Sequence, residues 1–368
     1  GVPRTGHVNI RVLRNRLRFN YKNSFWIMEI NAQECLNQND NFACQSNIGS
    51  TLIKGVRPGV APKFSIVIPT WKRVETLKDT VESALSQTWA GDFDVIVVED
   101  NPEPDSDVYK YLMSLTDPRI IYYRNDSNLG LVGNFNRAVS LADGEYAVLV
   151  HDDDYLFPAY LAEIDRITGI AQDADIICPE AVKWREYQGQ PKPAVPENKV
   201  NAKLCCPEAD GEPFCRLFAP TGVTFRKSAF MKSGGFDHLS GPSTDLYFIV
   251  RAARSMKYYR YEKPLFVYRW SANESLKLNV RMDFLRAGLP LRKLLLKRHH
   301  APGFVTRALL KYYCWQSVEH LKRDFPEDKP DLSWLILPEN RLEIRWGKFV
   351  TDALGRYLLL RRTFSRSV

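Results

Sequence analysis

Phe64-Ser65-Ile66-Val67-Ile68-Pro69 is a short β-branched run closed by proline, and the polar tetrad Thr70-Trp71-Lys72-Arg73 follows it. A run without alternation reads as a strand covered on both faces. Three more runs follow: Phe93-Asp94-Val95-Ile96-Val97-Val98, Arg119-Ile120-Ile121-Tyr122-Tyr123 and Glu145-Tyr146-Ala147-Val148-Leu149-Val150. Residues 74 to 88 and 131 to 142, between runs, read as helices. Strands alternating with helices imply an α/β fold, Rossmann-like, with a mainly parallel sheet flanked by helices. Ligands of such sheets gather at the carboxyl ends of the strands. Polar clusters stand at three of those ends: Thr70-Trp71-Lys72-Arg73, Glu99-Asp100-Asn101 and Asp152-Asp153-Asp154.

Outward from this core, residues 1–62 are polar and end in Lys54-Gly55-Val56-Arg57-Pro58-Gly59-Val60-Ala61-Pro62, which reads as an extension joined by a linker. The C-terminal part mixes Leu-rich and basic stretches, Leu291-Arg292-Lys293-Leu294-Leu295-Leu296-Lys297-Arg298-His299-His300 and Tyr357-Leu358-Leu359-Leu360-Arg361-Arg362. Basic amphipathic helices of this kind either lie on anionic membrane surfaces or pack on a domain with their charges solvated.

The 368 residues carry 51 Lys and Arg against 43 Asp and Glu, a net charge of +8, and most of the excess lies after residue 280. That placement argues against a nucleic-acid-reading core. Seven cysteines at irregular spacing (Cys35, Cys44, Cys178, Cys205, Cys206, Cys215, Cys314) give neither a disulfide ladder nor a zinc pattern, so reduced thiols are expected. No stretch approaches the roughly 20 apolar residues of a spanning helix, and the N-terminus has no apolar signal core. A cytoplasmic protein is expected, with any membrane contact peripheral and through the C-terminal basic helices.

A strand that delivers consecutive carboxylates to its end suits a hard divalent cation, Mn2+ or Mg2+, which takes oxygen ligands and bridges diphosphate oxygens. The plainer reading is an acidic helix N-terminus ahead of Pro158. Gly130-Leu131-Val132-Gly133 lacks the dinucleotide fingerprint, and no phosphate loop occurs. A nucleotide would therefore be held by acidic and aromatic side chains with a metal.

The ordered motifs resemble the family 2 glycosyltransferases. Pro69-Thr70-Trp71-Lys72-Arg73 is similar to that family's Pro-Thr-Tyr-Asn-Arg signature, and Val97-Val98-Glu99-Asp100-Asn101 to its Val-Val-Asp-Asp-Gly turn. Asn128-Leu129-Gly130 with Asn134 and Asn136 resembles its Asn-x-Gly motif, and Gly144-Glu145-Tyr146 leading to Asp152-Asp153-Asp154 and Pro158 its metal-binding strand end. Gly234-Gly235-Phe236-Asp237, Ser243-Thr244-Asp245 with Arg251, and Tyr268-Arg269 complete the series over about residues 63 to 272.

The resemblance implies a GT-A fold divided into 1–62, an N-terminal extension; 63–160, a nucleotide-sugar-binding half; 161–272, an acceptor-binding half; and 273–368, a basic helical region. It implies an inverting, metal-dependent transfer from a nucleotide diphosphate sugar, a UDP-sugar, to a hydroxyl of a glycan or lipid-linked glycan, in surface polysaccharide synthesis. Carried over residue by residue, Asp100 would contact the base, and Thr70 or Trp71 would line its pocket. Arg73, Glu99, Asn128, Asn134 and Asp152 would complete the donor site, Asp153 with Asp152 would hold the metal, and Asp154 would be structural. Asp245 would be the catalytic base, its plainer role being a helix N-cap. This chain departs from the pattern at His151, where relatives carry the first acid of Asp-x-Asp, at Thr244, and at Trp270-Ser271. A weaker or differently completed metal shell would follow. A sugar nucleotidyltransferase and a noncatalytic nucleotide- or glycan-binding scaffold are the alternatives. The first would need a glycine-rich phosphate loop that Thr70-Trp71-Lys72-Arg73 does not supply.

Overall fold

A computed structural model of the chain describes residues 30–38, 40–57, 59–196, 203–205, 219–252, 254–270, 277–360 and 365–367. In chain order its first half runs α1 (Ala32–Leu36), β1 (Ser50–Lys54), β2 (Phe64–Thr70), α2 (Val74–Leu85), β3 (Phe93–Glu99), α3 (Asp107–Ser114), β4 (Ile120–Asn125), α4 (Gly130–Leu141), β5 (Tyr146–Leu149), β6 (Tyr155–Leu156) and α5 (Tyr160–Ile170). The second half comprises β7 (Ile176–Arg185), β8 (Lys203–Cys205), β9 (Val223–Arg226), α6 (Lys227–Lys232), α7 (Thr244–Ala252), β10 (Tyr258–Trp270), α8 (Leu278–Arg298), α9 (Gly303–Asp324), α10 (Arg341–Leu360) and β11 (Ser365–Ser367).

The strands form one sheet in the order β1-β4-β3-β2-β5-β9-β7-β10-β8-β11, with β6 beside β10. β4, β3, β2 and β5 are parallel, as their unbroken apolar runs require. Period-2 geometry sends Val67, Ile96, Val98, Ala147 and Leu149 to one core and Ile66, Ile68, Val95, Val97 and Val148 to the other. The second half of the sheet is mixed. β9 runs antiparallel to both β5 and β7, whereas β7 and β10 are parallel.

Residues 30–57, expected as an extension and linker, are built into the domain. β1 pairs antiparallel with β4 and covers the edge of the sheet, and Ala32, Cys35 and Leu36 of α1 are buried in the larger core. An unpaired β4 edge would expose a row of backbone donors and acceptors, and β1 removes it. Cys35 and Cys314 are free and buried, as expected of reduced thiols, the buried Cys178 thiol donates to the Pro179 carbonyl at 3.8 Å, and Cys206 and Cys215 lie outside the described residues.

The C-terminal helices pack on the α7 side. Leu291, Arg292, Leu295 and Leu296 of α8 are all buried, and the Arg292 guanidinium lies 3.7 Å from the Tyr313 ring centroid. The apolar face of Leu291–His300 is thus spent inside the protein, so of the two readings of this stretch the structure takes the one in which it packs on the domain. The side chains of residues 357–362 lie outside the described residues. Among the described residues no helix is long and apolar enough to cross a membrane.

Asp94, near the start of β3, is 5% exposed, and burial pushes its carboxyl up to about 6, a rise that the neighbouring Ser65 hydroxyl only moderates. A carboxyl whose folded pKa is raised binds its proton more tightly in the folded chain, so the cost of its charge is absent below about pH 4 and complete above about pH 6. Asp94→Asn is accordingly expected to stabilise the protein by on the order of 2–3 kcal/mol at pH 8 and to change little at pH 4. Denaturant titrations at the two pH values check this, and equal effects at both would refute it.

Candidate active site

The direction of the chain order reverses between β2 and β5: β3 and β4 lie to one side of β2, β5 to the other. Crevices form where strand order switches in this way. Val150 N donates to Val67 O at 3.0 Å, and among the described residues the β2–β5 ladder ends there. Pro69, on the same side of β2 as Val67, therefore loses no ladder bond by lacking an N–H. The two strand ends are rejoined by side chains. Thr70 Oγ1 donates to Asp152 Oδ2 at 2.8 Å, and the Trp71 amide donates to the same oxygen at 3.4 Å. Arg73 Nη1 lies 2.7 Å from Asp153 Oδ2 and 3.3 Å from Asp152 Oδ1. Between them Lys72 takes a left-handed backbone, φ 58, which turns the chain from β2 into α2 and leaves the Trp71 indole 53% exposed. Burial pushes the Asp152 carboxyl up to about 6 against the opposing pull of Arg73.

The residues after β5 divide between two tasks. Both oxygens of Asp152 are engaged by Thr70, Trp71 and Arg73. One ligand atom each from His151, Asp153 and Asp154 lies within 4.8 Å of the others. The metal pair expected from the motif was Asp153 with Asp152, whereas the geometry groups Asp153 with His151 and Asp154. The His151 ring stacks on Phe135 at 4.8 Å between centroids, and its buried Nε2 has no partner among the described residues. Burial lowers its pKa to about 4, so the imidazole is neutral and keeps a lone pair for a cation. Asp154 is fully buried, and its Oδ1 accepts from the Arg269 amide at 2.8 Å while Oδ2, 3.9 Å from His151 Nδ1, has no hydrogen bond among the described residues. Burial raises its carboxyl well above the usual range. The signal for this grouping was present in the sequence as His-x-Asp in place of Asp-x-Asp.

At the end of β3 the expected donor residues form a clasp. Asp100 Oδ1 accepts from Asn125 Nδ2 at 2.8 Å and the Leu129 amide at 2.7 Å, and Oδ2 accepts from the Gly130 amide at 2.9 Å. Leu129 and Gly130 open α4 with no cap of their own, and Gly130 has φ 72, so a carboxylate from another strand satisfies that helix end. Asp100 is 2% exposed. Its carboxylate orients α4, which differs from the free base contact that the motif implied. Asn134 Nδ2 donates to Thr70 O at 3.3 Å and Val98 O at 3.1 Å, tying α4 to both strand ends. Asn128 donates to Asp100 O at 3.2 Å and accepts from the Gly130 amide at 3.0 Å. Glu99 is buried and receives the Tyr122 hydroxyl. Asn125 and Tyr122 were not marked by any motif. Only their pairing across β3 and β4 shows them.

Asp245 stands in the first turn of α7, partly exposed, with Oδ1 accepting from the Leu246 amide at 2.7 Å. Burial pushes its carboxyl up to about 7. That hydrogen bond lies within its own helix turn and does not tie it to Asp152 or Asp153. The turn before α7 is nonetheless fixed to the site. Asn136 of α4 accepts from the Phe236 amide and donates to the Phe236 carbonyl, both at 2.8 Å. The Phe236 ring lies edge-on to Phe135 at 6.0 Å, and Phe135 is the ring under His151. Gly235 has φ 68, and a Cβ there would come 2.6 Å from Asn136 Oδ1, so neither the turn nor the bracket tolerates a side chain.

Comparison with known proteins agrees with this architecture. Residues 65–218 match the family model described as Glycosyl transferase family 2. WcaA of Escherichia coli (strain K12), named for colanic acid biosynthesis, is 36% identical over 101 residues, 27% of this chain and 36% of that one. WfaP of Escherichia coli, named as a UDP-Glc:alpha-D-GlcNAc-diphosphoundecaprenol beta-1,3-glucosyltransferase, is 34% identical over 91 residues, 25% of this chain and 35% of that one. The chain thus aligns with little more than a third of the length of each. The crystal structure of S. aureus TarS 1-349 in complex with UDP-GlcNAc superposes with a TM-score of 0.50 at 15% identity, covering 80% of this chain and 90% of that one. The shared fold is GT-A.

Proposed function

We propose that this chain, whose residues 65–218 are a family 2 glycosyltransferase domain, moves a sugar from a nucleoside diphosphate donor to a hydroxyl of a glycan or lipid-linked glycan, with inversion. The observation that carries this reading is the convergence of Thr70, Trp71, Arg73 and the His151–Asp154 segment at the switch point of the sheet. An exposed indole, a guanidinium and a cation-binding set there match the three parts of such a donor: base, diphosphate and metal.

The residues present fit a divalent cation. His151, Asp153 and Asp154 bring a neutral ring nitrogen and two carboxyl groups within 4.8 Å of one another, a set that Mn2+ accepts more readily than Mg2+. A bound cation would supply positive charge for the departing diphosphate. Arg73, held by Asp152 and Asp153, adds a second positive charge on the same rim. Trp71 stacks on the base, and Asp100 and Asn134 hold α4 and the strand ends in register around it. Asp245, with a pKa near neutrality, takes the proton of the attacking hydroxyl, and attack opposite the leaving group inverts the anomeric centre.

UDP is the first nucleotide to test, since WfaP is named for UDP-Glc. Calorimetric titration of UDP with Mn2+ present is expected to give saturable binding that chelator removes. His151→Ala is expected to weaken the Mn2+ dependence by about 10-fold or more, because a ligand lost from a three-residue set costs at least as much as an outer-shell partner. Metal-independent binding, or a His151→Ala protein that responds to Mn2+ as the wild type does, would reject this metal site. A well-folded protein that binds no nucleotide would reject the donor assignment itself.

A further inference from the structure

α10 is amphipathic with its polarity inverted. Its inward side presents Glu343, Gly347 and Val350: a Cβ on Gly347 would lie 2.6 Å from the Tyr312 Cβ, and Val350 packs with Leu296, Ala308 and Leu309. Glu343 is drawn to the nearly buried Lys311 ammonium at 2.8 Å. With that acid turned inward, the outward side presents Leu342, Trp346 and Phe349, which are 75%, 44% and 62% exposed, among exposed Arg341, Arg345 and Lys348. Spacing of i, i+4 and i+7 puts the three apolar side chains in one stripe, and the Trp346 and Phe349 rings stack at 5.6 Å. A soluble surface helix normally presents its polar face outward, and a contiguous apolar stripe rimmed by charge marks a contact surface.

Charge selects the occupant. Residues 273–368 contain 19 Lys and Arg against 10 Asp and Glu, an excess larger than the +8 of the whole chain. A second copy would bring one basic surface against another. A nucleic acid would leave Leu342 and Phe349 without a use. We propose that α10 lies on an anionic bilayer, with Leu342, Trp346 and Phe349 at the boundary of headgroups and acyl chains and with Arg341, Arg345 and Lys348 among the headgroups. The surface stands independently of the sugar-transfer reading, although it would bring the site to an acceptor anchored in lipid.

The test is flotation of the full chain with phosphatidylcholine vesicles with and without phosphatidylglycerol. Wild-type protein is expected to float with the anionic vesicles, and less so as salt rises. Leu342→Ser/Trp346→Ser/Phe349→Ser, all at exposed positions, is expected to lower the partition coefficient by about 100-fold or more. Arg341→Gln/Arg345→Gln/Lys348→Gln is expected to lose about 100-fold on anionic vesicles alone, at roughly 1 kcal/mol for each charge. Retained Mn2+-dependent UDP binding in both variants would show that the fold and the donor site are intact. A wild type that ignores anionic vesicles, or a serine variant that floats as well as wild type, overturns the proposal. A dimer abolished by the serine variant, with no vesicle binding, gives the face to a second copy and overturns it equally.

Discussion

Asp153→Ala is expected to lower donor turnover by about 10³-fold, corresponding to loss of several kcal/mol of charge stabilisation around the leaving diphosphate. Asp153 occupies two interactions at once. It belongs to the group of His151, Asp153 and Asp154, and its Oδ2 holds Arg73 at 2.7 Å. Removing it takes one anionic ligand from the cation and loosens the guanidinium that it holds, so both positive charges on the rim are misplaced. Metal-dependent UDP binding should fall together with turnover, since the cation is needed to bind the donor as well as to cleave it. Asp153→Asn, which keeps the shape, separates charge from packing: it should fail nearly as badly. Wild-type Mn2+-dependent affinity in either variant would remove Asp153 from the metal site.

Asp245→Asn is expected to lower transfer by about 10² to 10⁴-fold, the range that a positioned general base contributes, while leaving Mn2+-dependent UDP binding nearly intact. The two variants therefore differ in kind: one weakens donor binding, the other spares it. Burial pushes the Asp245 carboxyl up to about 7, above the ordinary carboxylate range. The sign follows directly. Wild-type kcat/KM should rise with pH through about 7 as the proton leaves Asp245, and this limb should be absent from the residual activity of Asp245→Asn. If Asp245 only serves the first turn of α7, where it receives the Leu246 amide, the variant keeps its activity. Turnover measured beside a denaturant titration distinguishes the outcomes.

Most of the nucleotide-binding half was legible in the chain because its determinants are local. Four apolar runs, residues 66–69, 95–98, 120–123 and 146–150, need two covered faces, and helices of suitable length follow them, so parallel β2, β3, β4 and β5 are close to forced. The polar clusters stand at strand ends because the runs stop there. The second half was less legible: β7, β9 and β10 pair across long separations, and antiparallel β9 between β5 and β7 has no local signature. β1 was hidden for the same reason. Its five residues gain strand form only by covering the edge of β4.

The sequence by itself determined which residue types meet at the switch point, because a strand end fixes where Thr70, Glu99 and Asp152 must appear. It could not determine their aim. Four consecutive residues, His151 to Asp154, leave the pleat of β5 at Val150, and beyond a strand no period governs direction. Their aim is set by groups brought from elsewhere: Thr70 and Arg73 take Asp152, the Phe135 ring takes His151, and the Arg269 amide, 115 residues on, takes Asp154. Likewise Leu342, Trp346 and Phe349 face outward on a helix whose Glu343 is held by Lys311, 32 residues away. Composition places groups along a chain, but only long-range partners, each fixed by its own packing, decide which way a side chain faces.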